Sequence, residues 1–230
     1  MRHHLVRRAA LALLVACAGP AQAAAAVVQA VGDAVVFDGR IEPRSAAQFL
    51  ALLRDPAITR LVITSRGGIV SAALDMALAI HEHGLDLEVP TACLSSCANY
   101  IFPAARRKSL GRPDAVAWHG NMAHVLYLQH SGQERWDERH IEEARQLARR
   151  EAVFFRRIGV DGFVCWFGKI APYNADDFYY LSVEDLARFG IRDVTVRESS
   201  PGASPDAEGV RKIHVDWPGL EAARPAVPLD

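Results

Sequence analysis

Apolar positions change period repeatedly along the chain, and each change predicts an element. Residues 34–37 (AVVF) form a β-rich run that stops at the turn Asp38-Gly39. Residues 45–53 read as a helix closed by Asp55-Pro56, and residues 60–64 (RLVIT) as a short buried strand. After Gly67-Gly68 the spacing becomes helical: Val70, Leu74, Ala77 and Leu78 share one face, and Gly84 ends the helix. Residues 87–91 form a further strand. A helix is expected from Ser95 through Tyr100 and Phe102, and a strand over 115–118 that ends at His119-Gly120. A long helix follows over about 136–158. Its apolar stripe is Ile141, Ala144, Ala148, Ala152 and Phe155, with the charged remainder read as a solvated face. A last short helix covers 182–189, with Ser182 as N-cap and Gly190 as its stop. Strands alternating with helices argue for parallel βαβ units in one sheet, an α/β fold.

Composition narrows this further. The chain has 230 residues, 50% hydrophobic and 23% charged, which is globular. A net charge of −1 gives no reason to expect a nucleic-acid partner. Arg2, Arg7 and Arg8, the apolar run 9–18, the break Gly19-Pro20 and the small-x-small Ala21-Gln22-Ala23 have the order of a bacterial secretory signal, so residues 1–23 are expected to be removed on export. Leu14-Val15-Ala16-Cys17 also resembles a lipobox, and lipidation at Cys17 would be the one reason to expect membrane attachment. Either route leads to the periplasm or beyond. Removal of 1–23 takes three basic residues and no acid, so the mature chain carries −4. The domain is expected over 24–198, and the Pro-, Ala-, Gly- and Asp-rich residues 199–230 read as a flexible tail. Cys93, Cys97 and Cys165 remain in an oxidising compartment. Cys93–Cys97 and Cys97–Cys165 are rival pairings that sequence does not decide. A zinc site is not expected, since no second Cys or His pair sits near Cys93 and Cys97 at ligand spacing.

Three spots could carry chemistry. Ser65-Arg66-Gly67-Gly68 lies between a strand and a helix, where backbone N–H groups can face an oxyanion. Cys93-Leu94-Ser95-Ser96-Cys97 places serines at a strand-to-helix junction. Trp118-His119-Gly120 ends a strand on the side of an α/β sheet where sites gather, and His is the usual base for a serine. Singly, a tight turn, an N-cap serine and a structural histidine are the plainer accounts. Together, Gly-Gly, Ser and His delivered by neighbouring strands are less ordinary. His81, His83, His130 and His214 fall on polar faces or in the tail and receive no role.

In order and spacing these segments resemble the Clp protease proteolytic subunit (ClpP) and the signal peptide peptidase A group, within the crotonase-like superfamily. RLVITSRGGIVSAALDMALAI is similar to their strand, Gly-Gly turn and helix; SSCANYIF to the nucleophile helix; AWHG to the strand end with the catalytic His. YNADDFYYLSVEDLARFGIRD is similar to the later segment with an acid before a short helix. The resemblance spans about 33–195 and implies a ClpP/crotonase-like fold of repeated ββα/βαβ units, a mainly parallel sheet flanked by helices. It implies a periplasmic serine hydrolase, a peptidase forming an acyl-enzyme on peptide or protein substrates, with no cofactor. Ser96 becomes the nucleophile, His119 the base and Asp177 the orienting acid; Ser95 and Asp176 are the alternatives. A Cys-x-Ser-x-Cys pattern favours Ser95, whereas Ser96 puts Ala98 and Tyr100 at the family's small and aromatic positions. The amides of Gly68 and Cys97 become the oxyanion hole, and a Cys93–Cys97 disulfide would stiffen the turn. Arg66 stands where the family has Pro. Relatives form rings, so a homo-oligomer is within expectation, whereas export excludes a cytoplasmic ATP-driven unfoldase and separates the chain from coenzyme A. The non-catalytic alternative is a crotonase-like binding or scaffold protein of the cell envelope.

Overall fold

The computed structural model describes residues 25–197 and 210–227. The expected signal, with Cys17, lies outside these residues.

The chain opens with β1 (Val27–Val31) and β2 (Ala34–Asp38), an antiparallel hairpin. The helix α1 (Pro43–Leu52) leads into β3 (Arg60–Thr64). Its start is set by Pro43 inside the first turn and by reciprocal hydrogen bonds between Glu42 and Ser45. The helix α2 (Val70–His83) ends at Gly84, whose left-handed backbone closes it, and β4 (Asp86–Val89) follows. Next come β5 (Cys93–Leu94), a π-helical turn over Cys97–Ile101, α3 (Phe102–Ala104), β6 (Lys108–Leu110) and β7 (Val116–Ala117). The helices α4 (Met122–His130) and α5 (Glu138–Ile158) are consecutive and packed together. Two short 3-10 turns, β8 (Phe178–Tyr180), α6 (Val183–Arg188) and β9 (Val194–Val196) complete the first stretch of chain. Ser182 caps α6 through Asp185 N, as its position predicts.

The main sheet has six strands in the order β1-β2-β3-β4-β6-β9, parallel except for β1. The fold is therefore mixed α/β with a mostly parallel central sheet. In β3 the pleat sends Leu61 and Ile63 into the core, leaving Arg60, Val62 and Thr64 on the other face. The inner face packs on α2, whose Ala72, Ala73, Met76, Ala77 and Ile80 are buried.

A second, narrower layer positions the site. Beyond its pairing with β2 and β4, the β3 strand continues through Ser65, which bridges Cys93; β5 pairs with β7; Trp118 bridges Tyr179. Consecutive segments thus carry Gly67-Gly68, the serines and His119 side by side, as the alternating pattern implies.

Several elements lacked a readable signal. The strands β5 and β6 are two or three residues long, too short to show a period, whereas β7 falls within the strand expected over 115–118. The helix α4 is apolar around most of its circumference and shows no stripe.

The flexible tail expected from residue 199 is corrected for 210–227. There β10 (Val210–Lys212) pairs in parallel with β8, and α7 (Trp217–Ala223) docks on the core. Ile213 and Leu220 are buried, Trp217 Nε1 donates to Asp185, and Arg224 forms two 2.7 Å bonds to Asp161. Pro, Gly and Ala lowered the apparent order of this stretch. The apolar residues that anchor it are few and spaced apart, and they find partners only in the folded protein.

Candidate active site

The serines sit inside a small covalent ring. Cys93 and Cys97 are disulfide-bonded with Cα atoms 5.1 Å apart, and Cys165 is free and buried. Of the two pairings left open by sequence, the local one is formed. Within this ring Ser95 has φ 56°, a left-handed conformation uncommon for a residue with a side chain. That backbone turns consecutive serines in different directions.

Ser95 is half-buried, and its Oγ lies 2.7 Å from His119 Nε2. Ser96 is only 4% exposed, and its Oγ donates to the Gly68 carbonyl at 2.8 Å. The expectation of Ser96 at the imidazole is therefore corrected: the hydroxyl that meets the ring belongs to Ser95, and Ser96 ties the serine turn to the Gly-Gly turn. Aligning a helix by its small and aromatic positions misplaces the serine by one, because the turn before the helix is left-handed rather than helical.

The main-chain donors shift accordingly. The amide after Ser95 is that of Ser96, not that of Cys97. Ser96 N lies 2.9 Å from where a Cβ on Gly67 would stand, and Ser95 Cβ lies 2.8 Å from it, so any side chain at 67 would drive these segments apart. Gly68 forms a parallel bridge to Ile41 through its neighbours, with Ile41 N donating to Gly67 O and Ile69 N to Ile41 O. The N–H and C=O of Gly68 itself then face away from Ile41. Its carbonyl accepts from Ser96, so that edge is turned toward the serines. A Cβ on Gly68 would stand 2.0 Å from Ile41 O. Arg66 is exposed.

The His119 segment is fixed from several sides. The His119 ring packs on Phe178 with centroids 4.6 Å apart. On one side of it, Trp118 Nε1 donates to Ala98 O at 3.2 Å. On the other, Gly120 N donates to Cys165 O, and Asn99 Nδ2 donates to Gly120 O. Partial burial and then the Lys169 charge lower the His119 pKa, opposed by Asp177. A lowered pKa keeps the ring neutral, the form that can accept a proton.

Asp177 and Asp176 are both exposed, and neither carboxylate hydrogen-bonds His119. Lys169 Nζ donates to both of their backbone carbonyls, at 2.8 Å to Asp176 and 3.2 Å to Asp177. Of the two, Asp177 is the one whose charge reaches the imidazole. The arrangement is thus a Ser–His pair with a nearby carboxylate, not a closed hydrogen-bonded triad.

Beside Gly68 opens a groove of about 550 Å³ lined by Ile69, Val70, Met122, Val125, Trp136 and Leu147 among others. No group of His, Cys, Asp and Glu among the described residues is arranged to hold a metal ion.

Sequence reasoning missed Asn99, His124, Glu151 and Lys169. His124 is buried between Trp166 and Tyr127, and burial holds its pKa down at about 4. Glu151 left a signal: it falls three residues after Ala148 and four before Phe155, on the apolar stripe of α5. No protein-family model and no curated protein matches the chain.

Proposed function

We propose that this chain is an exported serine hydrolase of the ClpP/crotonase-like kind, a peptidase that works through an acyl-enzyme on Ser95. The observation that carries the reading is the 2.7 Å contact between Ser95 Oγ and His119 Nε2, with Ser95 held in a left-handed backbone conformation. In this mechanism His119 Nε2 takes the Ser95 proton as Oγ attacks the substrate carbonyl carbon. The oxyanion is received by the amides of Gly68 and Ser96. Protonated His119 then gives its proton to the leaving amine, and water repeats the sequence to release the acid. A Gly-Gly turn, a serine and a histidine on adjacent segments support the family resemblance. The signal-like residues 1–23 and the Cys93–Cys97 disulfide support export. One observation favours a non-catalytic envelope protein instead: His119 lacks a hydrogen-bonded carboxylate among the described residues.

The test is a fluorophosphonate probe on the oxidised protein, read by mass spectrometry. Ser95 should carry the adduct, and Ser95→Ala and His119→Ala should each abolish it. Ser96→Ala should keep labelling within about ten-fold of wild type, because it loses only a bond to Gly68 O worth about 1 kcal/mol. An adduct on Ser96, or none on the folded protein, refutes the proposal.

A further inference from the structure

The long helix α5 carries a carboxylate where its packing asks for an apolar residue. Glu151 is 1% exposed. Burying a carboxylate is costly unless donors surround it. Four do: the Tyr100 hydroxyl, Asn121 Nδ2 at 3.0 Å, Met122 N at 3.1 Å and Ala123 N at 3.4 Å. These donors come from two places. Tyr100 lies in the turn that follows Ser95, and Asn121 to Ala123 directly follow His119-Gly120. The carboxylate therefore ties the nucleophile's helix to the base's loop, with α5 as the rigid backing. Other groups with charge or titratable protons face the same region. Tyr100 and Cys165 are buried beside it, and Arg156, Asp161 and Arg224 line the same cavity of about 370 Å³. Burial pushes Glu151 up to about 7 while its donors pull it down.

We propose that Glu151 is a positioning residue that sets the distance between Ser95 and His119. Its catalytic meaning rests on the hydrolase reading above. Packing alone does not account for it, since an apolar side chain would fill the stripe without the cost of desolvation. Glu151→Gln keeps the volume but puts an NH2 group among donors, so one of the two anchors must let go.

The experiment uses the full oxidised chain, with Glu138→Gln on the exposed first turn of α5 as the matched control. Two quantities are read: inactivation by the fluorophosphonate, separated into probe affinity and maximal rate, and the titration of the His119 ring by NMR. Glu151→Gln should lower the maximal rate at least about ten-fold with affinity within about two-fold, as a displaced base does. It should also move the His119 titration, and the control should do neither. If Glu151→Gln does not fold, Tyr100→Phe removes one donor and keeps the ring, and it should lower the rate at least about three-fold. An unchanged rate and titration, with only the melting temperature reduced, overturns the proposal. If the wild type is not labelled at all, the hydrolase reading fails. The Glu151 proposal then stands or falls on the His119 titration, and an unmoved curve overturns it.

Discussion

Ser95 adopts a backbone conformation that costs roughly 1–2 kcal/mol for a residue with a Cβ. Such strain is retained where the surroundings over-determine it, and here it lifts the hydroxyl out of the helix toward His119. The proposed chemistry depends on His119 being neutral. Burial and Lys169 lower its pKa, whereas Asp177 raises it. Labelling of the wild type should therefore rise with pH through an inflection below the ordinary value of 6.5. Lys169→Met removes a positive neighbour and should move the inflection up; Asp177→Asn removes a negative one and should move it down. Rate–pH profiles of the three proteins check both signs, and an unmoved inflection in Asp177→Asn would remove Asp177 from the site. The residue types of the pair were legible in the sequence. Which of two adjacent serines faces the ring was not, because the choice turns on a single φ angle.

At the scale of elements, the junction between β5 and the π-helical turn is held by one covalent bond, by backbone hydrogen bonds to Ser65 and Ala117, and by three side-chain hydrogen bonds. The Cys93–Cys97 ring encloses Leu94, Ser95 and Ser96. Ser96 Oγ binds Gly68 O, Asn99 Nδ2 binds Gly120 O, and Trp118 Nε1 binds Ala98 O. Closing so short a ring is worth about 2 kcal/mol by chain entropy. Within the ring, the backbone conformations open to Leu94, Ser95 and Ser96 are restricted. Reduction by a dithiol, or Cys93→Ser with Cys97→Ser, should lower the labelling rate of Ser95 at least about ten-fold. The protein should stay folded, as circular dichroism would show. A labelling rate that survives reduction would mean that the hydrogen bonds alone hold the junction. The longer elements were readable here, since α2 and α5 carry stripes and glycine stops. The short strands β5, β6 and β8 were not, because pairing rather than periodicity defines them.

For the whole molecule, the described residues near the C-terminus complete the layer that carries His119. The strand β10 extends the sheet at β8, beside Phe178 and Tyr179. Ile213 is buried against Tyr179 and Gly168, and its amide donates to Tyr180 O. Ile213→Ala should cost about 3 kcal/mol, read as a lowered denaturant midpoint at an unchanged slope. A loss below about 0.5 kcal/mol would show that this segment does not share in the cooperative unit.

The sequence by itself determined the α/β class, the run of strands and helices from β2 through β4, the ends of α2, α5 and α6, and the candidate pair of serine and histidine types. Those are properties of local patterns: period, caps, breakers and the order of motifs. Only the tertiary structure decided that Ser95 rather than Ser96 meets His119 and that Cys93 pairs with Cys97. It also decided that Glu151 is enclosed by donors and that residues 210–227 are docked. Each of these depends on contacts between segments far apart in the chain or on a single backbone angle, and neither leaves a period to read.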